Sequence, residues 1–268
     1  MIMAIIDDVA GVPGVPGYTV TQLREPLHAF ALVIPVLNED RRLTAQLERI
    51  RGSTLDVDVI IADGGSTDGS TQAETLSQRG VTTLLTKTGP GRLSAQLRMA
   101  IHHCLKEGYQ AVITMDGNGK DGVSGIADIA AALSSGYDFV QGSRFVHGGQ
   151  AVNTPYSRYL AIRFIHAPIT SLGARHWYTD TTNGFRGLKR GLLEDPQVGV
   201  LREVFDSYEL LAYLPIRAAR LGYNVTEVPV TRAYPEGEAA PTKIHGASAH
   251  ARMLRILIDA SAGRFNPS

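Results

Sequence analysis

The stretch FALVIPVLNED (30–40) decides the fold of this chain, because seven apolar residues (30–36) lead directly into a polar segment. An unbroken apolar run of this length is typical of a strand that is buried on both faces, as in parallel sheets covered by helices. Leu43, Leu47 and Ile50 then recur at helical spacing. The stretch therefore predicts a buried strand followed by a helix that packs against it.

The same alternation of buried strand and amphipathic helix recurs along the chain. Further strands are predicted at 57–62, 81–86, 111–116 and 138–143, each followed by polar or glycine-rich residues. Cys104 falls in the apolar stripe of the third helix, so we interpret it as a core residue. Repeated strand–helix units predict an α/β fold, a single domain with a mostly parallel central sheet and helices on both of its faces.

The domain boundaries follow from this rhythm. Residues 1–28 include a Gly/Pro-rich stretch that suits neither a helix interior nor a central strand, so we expect an N-terminal strap or loop. Residues 29–246 form the sheet domain, whose later part is an extension with a strong helix at 203–221. Residues 247–268 are predicted to form an amphipathic helix and a tail.

Composition excludes several classes of protein. Apolar residues make up 44% of the chain, which is ordinary for a globular protein with a core. Lys+Arg and Asp+Glu both number 26, so the basic excess typical of nucleic-acid binding is missing. A single cysteine excludes an internal disulfide. Neither a secretory signal nor an apolar stretch of 18 residues is found, and we expect a cytoplasmic protein.

Polar residues follow each predicted strand, where the ligands of open parallel sheets bind. They are Asn38 with Glu39, Asp63, Asp116 with Asn118, and Arg144. Helix N-termini and loop amides converge at the same edge of such a sheet. We therefore expect a binding site for a charged ligand there, although strand-end polar residues also serve as helix caps.

The segment MDGNGKDG (115–122) is the most specific of these. Asp116 and Asn118 are two residues apart at a strand end, so their side chains share a face. A carboxylate and an amide oxygen at that spacing hold a hard cation such as Mg²⁺, which completes its coordination with water and substrate phosphates. Asp121 is a second candidate ligand. The alternative is a turn stabilised by Asx hydrogen bonds, in which Asp121 only precedes the next helix.

Common nucleotide and zinc motifs are missing from the sequence. We find no Walker A motif, no G-x-G-x-x-G after the first strand, no H-E-x-x-H and no C-x-x-C. ATP-driven phosphoryl transfer, hydride transfer and zinc hydrolysis therefore lose support.

Six motifs in order resemble those of family 2 glycosyltransferases with the GT-A fold, particularly the dolichyl- and polyprenyl-phosphate mannosyl- and glucosyltransferases. The motifs are IPVLNE (34–39), ADGGSTDGS (62–70), MDGN (115–118), GSRFVHGG (142–149), TNGFRGL (182–188) and EVPVTR (227–232). The resemblance implies an inverting hexosyltransferase that uses Mg²⁺ or Mn²⁺ to move a sugar from a nucleoside diphosphate sugar to a polyprenyl phosphate or to a hydroxyl of a glycan or small molecule.

The resemblance also implies roles for individual residues. The nucleotide pocket would be lined by Pro35, Leu37, Glu39 and Asp63. The metal and diphosphate would be held by Asp116 and Asn118. The donor phosphates would be bound by Arg144, Arg232, Thr242 and Lys243. The sugar or acceptor would lie near Asp180 and Arg186, and Glu209 is our candidate base for a hydroxyl acceptor.

Two departures from the family pattern concern the donor. Gly64 stands where the family commonly has a second Asp, which leaves the nucleotide base open. Asn118 replaces the second Asp of an Asp-x-Asp pair, which lowers the negative charge offered to the metal.

The predicted C-terminal helix has two interpretations. Its apolar and basic residues fit packing against the sheet domain or a neighbouring subunit, or peripheral contact with anionic lipid. Two alternative functions also stay open, a sugar-1-phosphate nucleotidyltransferase and a non-catalytic nucleotide-sugar-binding protein.

Overall fold

A computed structural model describes residues 5–236 and 247–267. The strands in chain order are β1 Ile5–Val9, β2 Tyr18–Gln22, β3 Phe30–Val36, β4 Asp58–Asp63, β5 Val81–Lys87, β6 Ala111–Thr114, β7 Phe139–Ser143, β8 Gln150–Val152, β9 Arg186–Lys189, β10 Val225–Pro229 and β11 Thr231–Ala233. The helices are α1 Asp40–Arg51, α2 Ala73–Gln78, α3 Leu93–Lys106, α4 Gly125–Ser134, α5 Tyr156–Ala161, α6 Ala167–Ala174, α7 Arg190–Glu194, α8 Glu209–Arg220 and α9 Ala247–Ser261, with a π-helical turn at Ile162–His166.

The chain forms two compact units. The first contains the residues up to 119 together with 200–207, and the second contains 120–199 and the residues from 208 onward. In the described ranges, no helix combines the length and the apolarity needed to cross a membrane.

The sheet of the first unit has the strand order β1-β2-β5-β4-β3-β6. β3, β4, β5 and β6 are parallel, as their apolar sequences predict. Leu32, Ile34, Ile60 and Ile61 are fully buried in its centre. Helix α3 packs against β3, β4 and β5 and buries Cys104, which confirms the interpretation of that residue as core.

The N-terminal segment corrects one prediction, because residues expected to form a loop include two strands. β1 pairs antiparallel with β2, and β2 pairs antiparallel with β5. Tyr18 and Val20 of β2 are buried, whereas Thr19 and Thr21 are half-buried. This alternation is only five residues long and adjoins the Gly/Pro-rich connection, which obscured it in the sequence.

In the second unit the strands of the sheet follow the order β9-β7-β10, and β8 and β11 form a separate pair of parallel strands. β7 is parallel to β10 and antiparallel to β9. Helix α4 covers this sheet, and α6, α8 and α9 pack together. The apolar residues Ile256 and Leu257 of α9 are buried. That burial supports the interpretation that α9 packs against the protein, and it argues against the interpretation that α9 contacts lipid.

The helix predicted at 203–221 begins only at Glu209, so its first six residues were assigned wrongly. The carbonyl oxygens of Asp206 and Ser207 accept hydrogen bonds from the backbone N–H groups of Arg92, Ser94 and Ala95 at the start of α3. Those long-range bonds hold residues 200–207 in the first unit and outside a helix.

Candidate functional site

The first unit brings the predicted donor-site residues to one edge of its sheet. β4, β3 and β6 are neighbours in that order and parallel, so their carboxyl ends lie side by side. Three groups of predicted residues stand there: Pro35, Leu37 and Glu39 at the end of β3, Asp63 at the end of β4, and Asp116 with Asn118 beyond β6. The structure therefore unites in one place residues up to 83 positions apart in the sequence, as Pro35 and Asn118 are.

Asp63 is a buried carboxylate that organises the glycine-rich loop after β4. Its Oδ1 accepts hydrogen bonds from the amide of Gly65 at 3.2 Å and from the amide and hydroxyl of Ser66 at 2.9 and 2.7 Å. Its Oδ2 accepts one from Thr71 Oγ1 at 3.3 Å. These bonds fix the course of the loop.

A second set of contacts joins this loop to the end of β3. Asn38 has φ +54°, and its amide donates to Ser66 Oγ at 2.9 Å while its Oδ1 accepts from the amide of Thr67 at 2.8 Å. Asp68 Oδ2 accepts from the amide of Asp40 at 2.9 Å. Slight burial raises the pKa of Asp68, but hydrogen bonds from Ser70 and Asp40 outweigh it and lower that pKa. The two loops thus form one hydrogen-bonded surface.

Asp116 and Asn118 lie on a turn that packs closely on β3. A Cβ atom at Gly117 would come within 2.7 Å of Val36 Cγ1 and 3.1 Å of Pro35 O, so only glycine fits between the two polar residues without a shift. Asn118 Nδ2 donates to Asp116 Oδ2 at 3.3 Å, and both residues are half-buried. The pair therefore faces partly toward solvent at the carboxyl end of the sheet.

These two residues fit a divalent cation that binds together with a diphosphate. Asn118 Nδ2 donates to the Asp116 carboxylate, so the two side chains lie within hydrogen-bond distance of each other, and each carries an oxygen atom of the kind that binds such a cation. In the described part of the chain, no group of three or more His, Cys, Asp or Glu side chains is arranged to hold a metal. A carboxylate and an amide oxygen suit Mg²⁺ or Mn²⁺ only when water and phosphate oxygens supply the other ligands.

Sequence reasoning missed Gln96, which connects two of the strand ends. Its Nε2 donates to Val36 O at 2.8 Å and to Ala62 O at 3.0 Å, so the side chain bridges the last residues of β3 and β4. A Cβ atom at Gly64 would lie 2.8 Å from the same Nε2. The signal in the sequence was a polar residue inside the apolar stripe of α3.

The second unit contains a buried network built around Asp180. Arg144 Nε donates to Asp180 Oδ2 at 2.6 Å and Arg144 Nη2 to Oδ1 at 2.8 Å, with both residues at most 3% exposed. Burial lowers the pKa of Arg144, but the Asp180 carboxylate outweighs this effect and raises it. Arg144 Nη2 also donates to Thr182 Oγ1 at 3.0 Å. The structure thus places two predicted site residues together as an ion pair.

Glu227, which sequence reasoning also missed, holds the segment that carries Asp180. Its Oε2 accepts from the amide of Thr179 at 2.8 Å and its Oε1 from the amide of Asp180 at 3.1 Å. Burial raises the pKa of Glu227, and the two backbone hydrogen bonds offset part of that rise. An acid between Thr226 and Val228 in the short strand β10 was the available signal.

Arg232 forms a second buried ion pair in this unit. Its Nη1 lies 2.7 and 2.6 Å from the two carboxylate oxygens of Asp121 and 3.3 Å from Asn183 Oδ1. Nearby, Arg158 Nη1 donates to Tyr234 Oη at 2.8 Å. Burial raises the pKa of Tyr234, but the adjacent arginines and Lys120 outweigh it and lower that pKa. The cationic groups around Tyr234 therefore favour the phenolate form of its own side chain.

For the remaining predicted residues, the structure gives fewer indications of a catalytic or binding role. Arg186 donates to the carbonyl oxygens of Thr181, Asn183 and Leu211, which makes it a support for the backbone. Glu209 is half-buried and is the first residue of α8, where the helix dipole favours its negative charge. Their catalytic roles stay predictions. Thr242 and Lys243 lie outside the described residues.

Comparison with known proteins shows that the chain is similar to glycosyltransferases. A family model described as Glycosyl transferase family 2 matches residues 31–195. A Mycolicibacterium smegmatis protein named polyprenol monophosphomannose synthase is 24% identical over 237 residues, which are 86% of each chain. A Micrococcus luteus protein named undecaprenyl-phosphate mannosyltransferase is 29% identical over 218 residues, 80% of this chain and 86% of the relative.

A solved structure establishes the fold. The glucosyl-3-phosphoglycerate synthase from Mycobacterium tuberculosis, crystallised with Mn²⁺, UDP and phosphoglyceric acid, superposes with a TM-score of 0.55 at 17% identity. The match covers 89% of this chain and 79% of that one. It confirms the predicted GT-A type of α/β fold.

Proposed function

Because the chain belongs to glycosyl transferase family 2, we propose that it transfers a sugar from a nucleoside diphosphate sugar to a polyprenyl phosphate, with a divalent cation at Asp116 and Asn118. The observation that carries the proposal is the carboxylate and amide pair on the turn after β6, which packs on the end of β3 at the same sheet edge as the loop that Asp63 organises. The acceptor rests on the two relatives named for polyprenyl-phosphate chemistry, which cover 80% or more of this chain.

The donor binds through the first unit in this proposal. Pro35, Leu37 and Glu39 line one side of the nucleotide pocket, and Asp63 holds the other side through its loop. A bound cation supplies positive charge to the diphosphate as it leaves, which is an electrostatic form of catalysis. Asp116 and Asn118 offer oxygen ligands but carry only one negative charge between them, so the diphosphate itself provides the rest of the charge.

Transfer proceeds in one displacement with inversion at the anomeric carbon. An acceptor phosphate oxygen forms a bond to that carbon, while the bond from the carbon to the donor diphosphate breaks. The products are a glycosyl polyprenyl phosphate and a nucleoside diphosphate. A phosphate oxygen is already anionic at neutral pH, so this acceptor needs no general base, and Glu209 would act as the base only for a hydroxyl acceptor.

Cationic side chains of the second unit contribute to phosphate binding in this scheme. Arg144 and Arg232 are each paired with a buried carboxylate, which fixes the geometry of their guanidinium groups. Thr242 and Lys243 complete the phosphate-binding set that the family resemblance implies. Asp180, held by Arg144, and Arg186 position the backbone near the transferred sugar.

A transfer assay with mass-spectrometric detection tests the proposal. The protein is incubated with undecaprenyl phosphate and a panel of UDP- and GDP-sugars, with Mg²⁺, with Mn²⁺, or with EDTA. We expect one donor to give a glycosyl undecaprenyl phosphate together with free nucleoside diphosphate, and only when a cation is present. Product formed from a sugar 1-phosphate and a nucleoside triphosphate would instead indicate a nucleotidyltransferase, and transfer unaffected by EDTA would contradict the cation.

A further inference from the structure

A strip of apolar side chains in the second unit is exposed to solvent. We call residues 156–177, from α5 through the π-helical turn to the end of α6 and the three residues beyond, the apolar strip. It holds more than half of the large apolar side chains that are exposed in the described residues. They are Tyr156, Tyr159, Leu160, Phe164, Ile165, Leu172 and Trp177. Soluble proteins seldom expose so many large apolar groups in one short segment unless the segment binds something.

Helix α6 is buried on one face and exposed on another. Thr170, Ser171 and Ala174 are buried on one face, which packs against α8 and α9. On that side Ser261 Oγ donates to Ile169 O at 3.2 Å. Leu172 is 85% exposed on another face. The inner face is therefore already satisfied by the fold, and the outer apolar residues serve no core.

The strip also carries a one-sided charge. The sequence has no acidic residue between Asp138 and Asp180, although the whole chain has a formal net charge of zero. The strip itself contains Arg158, Arg163 and Arg175. Arg163 lies 5.3 Å from the centroid of the Phe145 ring, which leaves its positive charge beside aromatic surface. Exposed apolar groups flanked only by cations complement an anionic, amphipathic surface.

We propose that the apolar strip docks the protein on the surface of a bilayer that contains anionic lipid. Phe164 and Leu172 would enter the boundary between headgroups and acyl chains, Trp177 would lie at headgroup level, and Arg163 and Arg175 would contact lipid phosphates. The proposal adds to the proposed function, because a polyprenyl phosphate acceptor resides in a membrane. It places the membrane contact on α5 and α6 in place of α9, whose Ile256 and Leu257 are buried.

A second copy of the chain fits the strip less well than a bilayer does. A symmetric dimer would bring the same segment of each copy together, and a segment that contains arginines and no acidic residue would then face like charge. An anionic membrane has no such penalty, and its attraction for each exposed cation is about 1 kcal/mol.

Vesicle sedimentation tests the proposal on the full chain. Vesicles contain either phosphatidylcholine alone or phosphatidylcholine and phosphatidylglycerol in equal parts, with no polyprenyl phosphate and no donor. We expect the wild type to sediment with the anionic vesicles at low salt and to be released as the salt rises. The double variant F164S/L172S should bind about tenfold or more weakly, because it loses the insertion of two large apolar side chains.

A matched control and two further measurements keep the test decisive. L27S removes a leucine that is 81% exposed in the first unit, and it should bind as the wild type does. Circular dichroism should show that all variants are folded. R163E/R175E should abolish the preference for anionic vesicles.

Three outcomes would overturn the proposal: equal sedimentation of F164S/L172S and wild type, equal binding to both kinds of vesicle, or a wild-type dimer in light scattering that F164S/L172S abolishes. Failure here would leave the proposed transfer intact, because the vesicles lack its substrates. Failure of the transfer assay would likewise leave vesicle binding untouched.

Discussion

The Arg144–Asp180 ion pair is the residue-scale feature with the largest expected energetic effect. Replacing Arg144 with Ala leaves a fully buried carboxylate without its partner, so we expect R144A to lose about 3–5 kcal/mol of unfolding free energy. Urea denaturation followed by circular dichroism measures the loss. Arg190 pairs with Glu194 at 2.5 Å, but both side chains are partly exposed. R190A should therefore change stability by less than about 1 kcal/mol.

Equal stability of R144A and wild type would contradict this account of Arg144. It would mean that the Arg144–Asp180 ion pair contributes little to the fold.

His103 makes stability depend on pH. Burial, assisted by the charges of Lys106 and His102, lowers the pKa of His103 to about 4, from an ordinary value of 6.5. Between these values the unfolded chain binds a proton that the folded chain does not bind, so stability rises with pH through this window and is lost on acidification. The predicted loss from pH 7 to pH 5 is about 2 kcal/mol from this residue.

Urea denaturation of H103Q at the two pH values checks the prediction, because glutamine does not titrate. The variant should lose about 2 kcal/mol less than the wild type on acidification, whatever its stability at pH 7. H147Q, at an exposed histidine, should keep the wild-type difference. An unchanged pH difference in H103Q would show that His103 is not buried in its neutral form.

At the scale of elements, Gly117 controls how closely the Asp116–Asn118 turn approaches β3. A methyl group there would overlap Val36, so G117A should destabilise the fold by about 1–3 kcal/mol and weaken cation-dependent nucleotide binding. The control is G191A in α7, since a Cβ atom at Gly191 meets nothing within 4 Å. Thermal denaturation compares the two variants. Loss of stability in both, or in neither, would contradict the packing argument.

The same elements show what the sequence could predict. β3 to β6 were predictable because short segments rich in apolar and β-branched residues, bounded by polar or glycine-rich residues, favour buried strands, and Asp63, Asp116 and Asn118 stand where such segments end. β2 was missed because its buried alternation is short and follows a Gly/Pro-rich segment. The start of α8 was missed because tertiary hydrogen bonds to Asp206 and Ser207 override a helical pattern.

Parts of the site are formed by long-range contacts, which no local sequence pattern reveals. Gln96 reaches Val36 and Ala62 from a different element, and Glu227 reaches Thr179 across 48 residues of sequence. Arg186 looked like a ligand-binding residue from its motif, but its hydrogen bonds to backbone carbonyls become visible only in the fold. A polar residue within an apolar strand or stripe is the pattern that signals such supports.

At the scale of the whole molecule, the account assigns different tasks to the two units. The first collects the donor-binding residues at the ends of β3, β4 and β6. The second holds the buried ion pairs and, in our proposal, the apolar strip that meets the membrane. The net charge of zero therefore conceals an uneven distribution of charge along the sequence. Carboxylates occur in the loops after β3, β4 and β6, whereas residues 139–179 contain arginines and no acidic residue.

The central claim is that Asp116 holds a divalent cation together with the donor diphosphate, and calorimetric titration with UDP and GDP tests it most directly. We expect the wild type to bind one of them at least tenfold more tightly with Mn²⁺ than with EDTA, a difference of about 1.4 kcal/mol or more. D116A should lose this difference while its circular dichroism is unchanged. D56N, which alters an exposed acid just before β4, should retain it. Undiminished Mn²⁺-dependent binding in D116A would contradict the account.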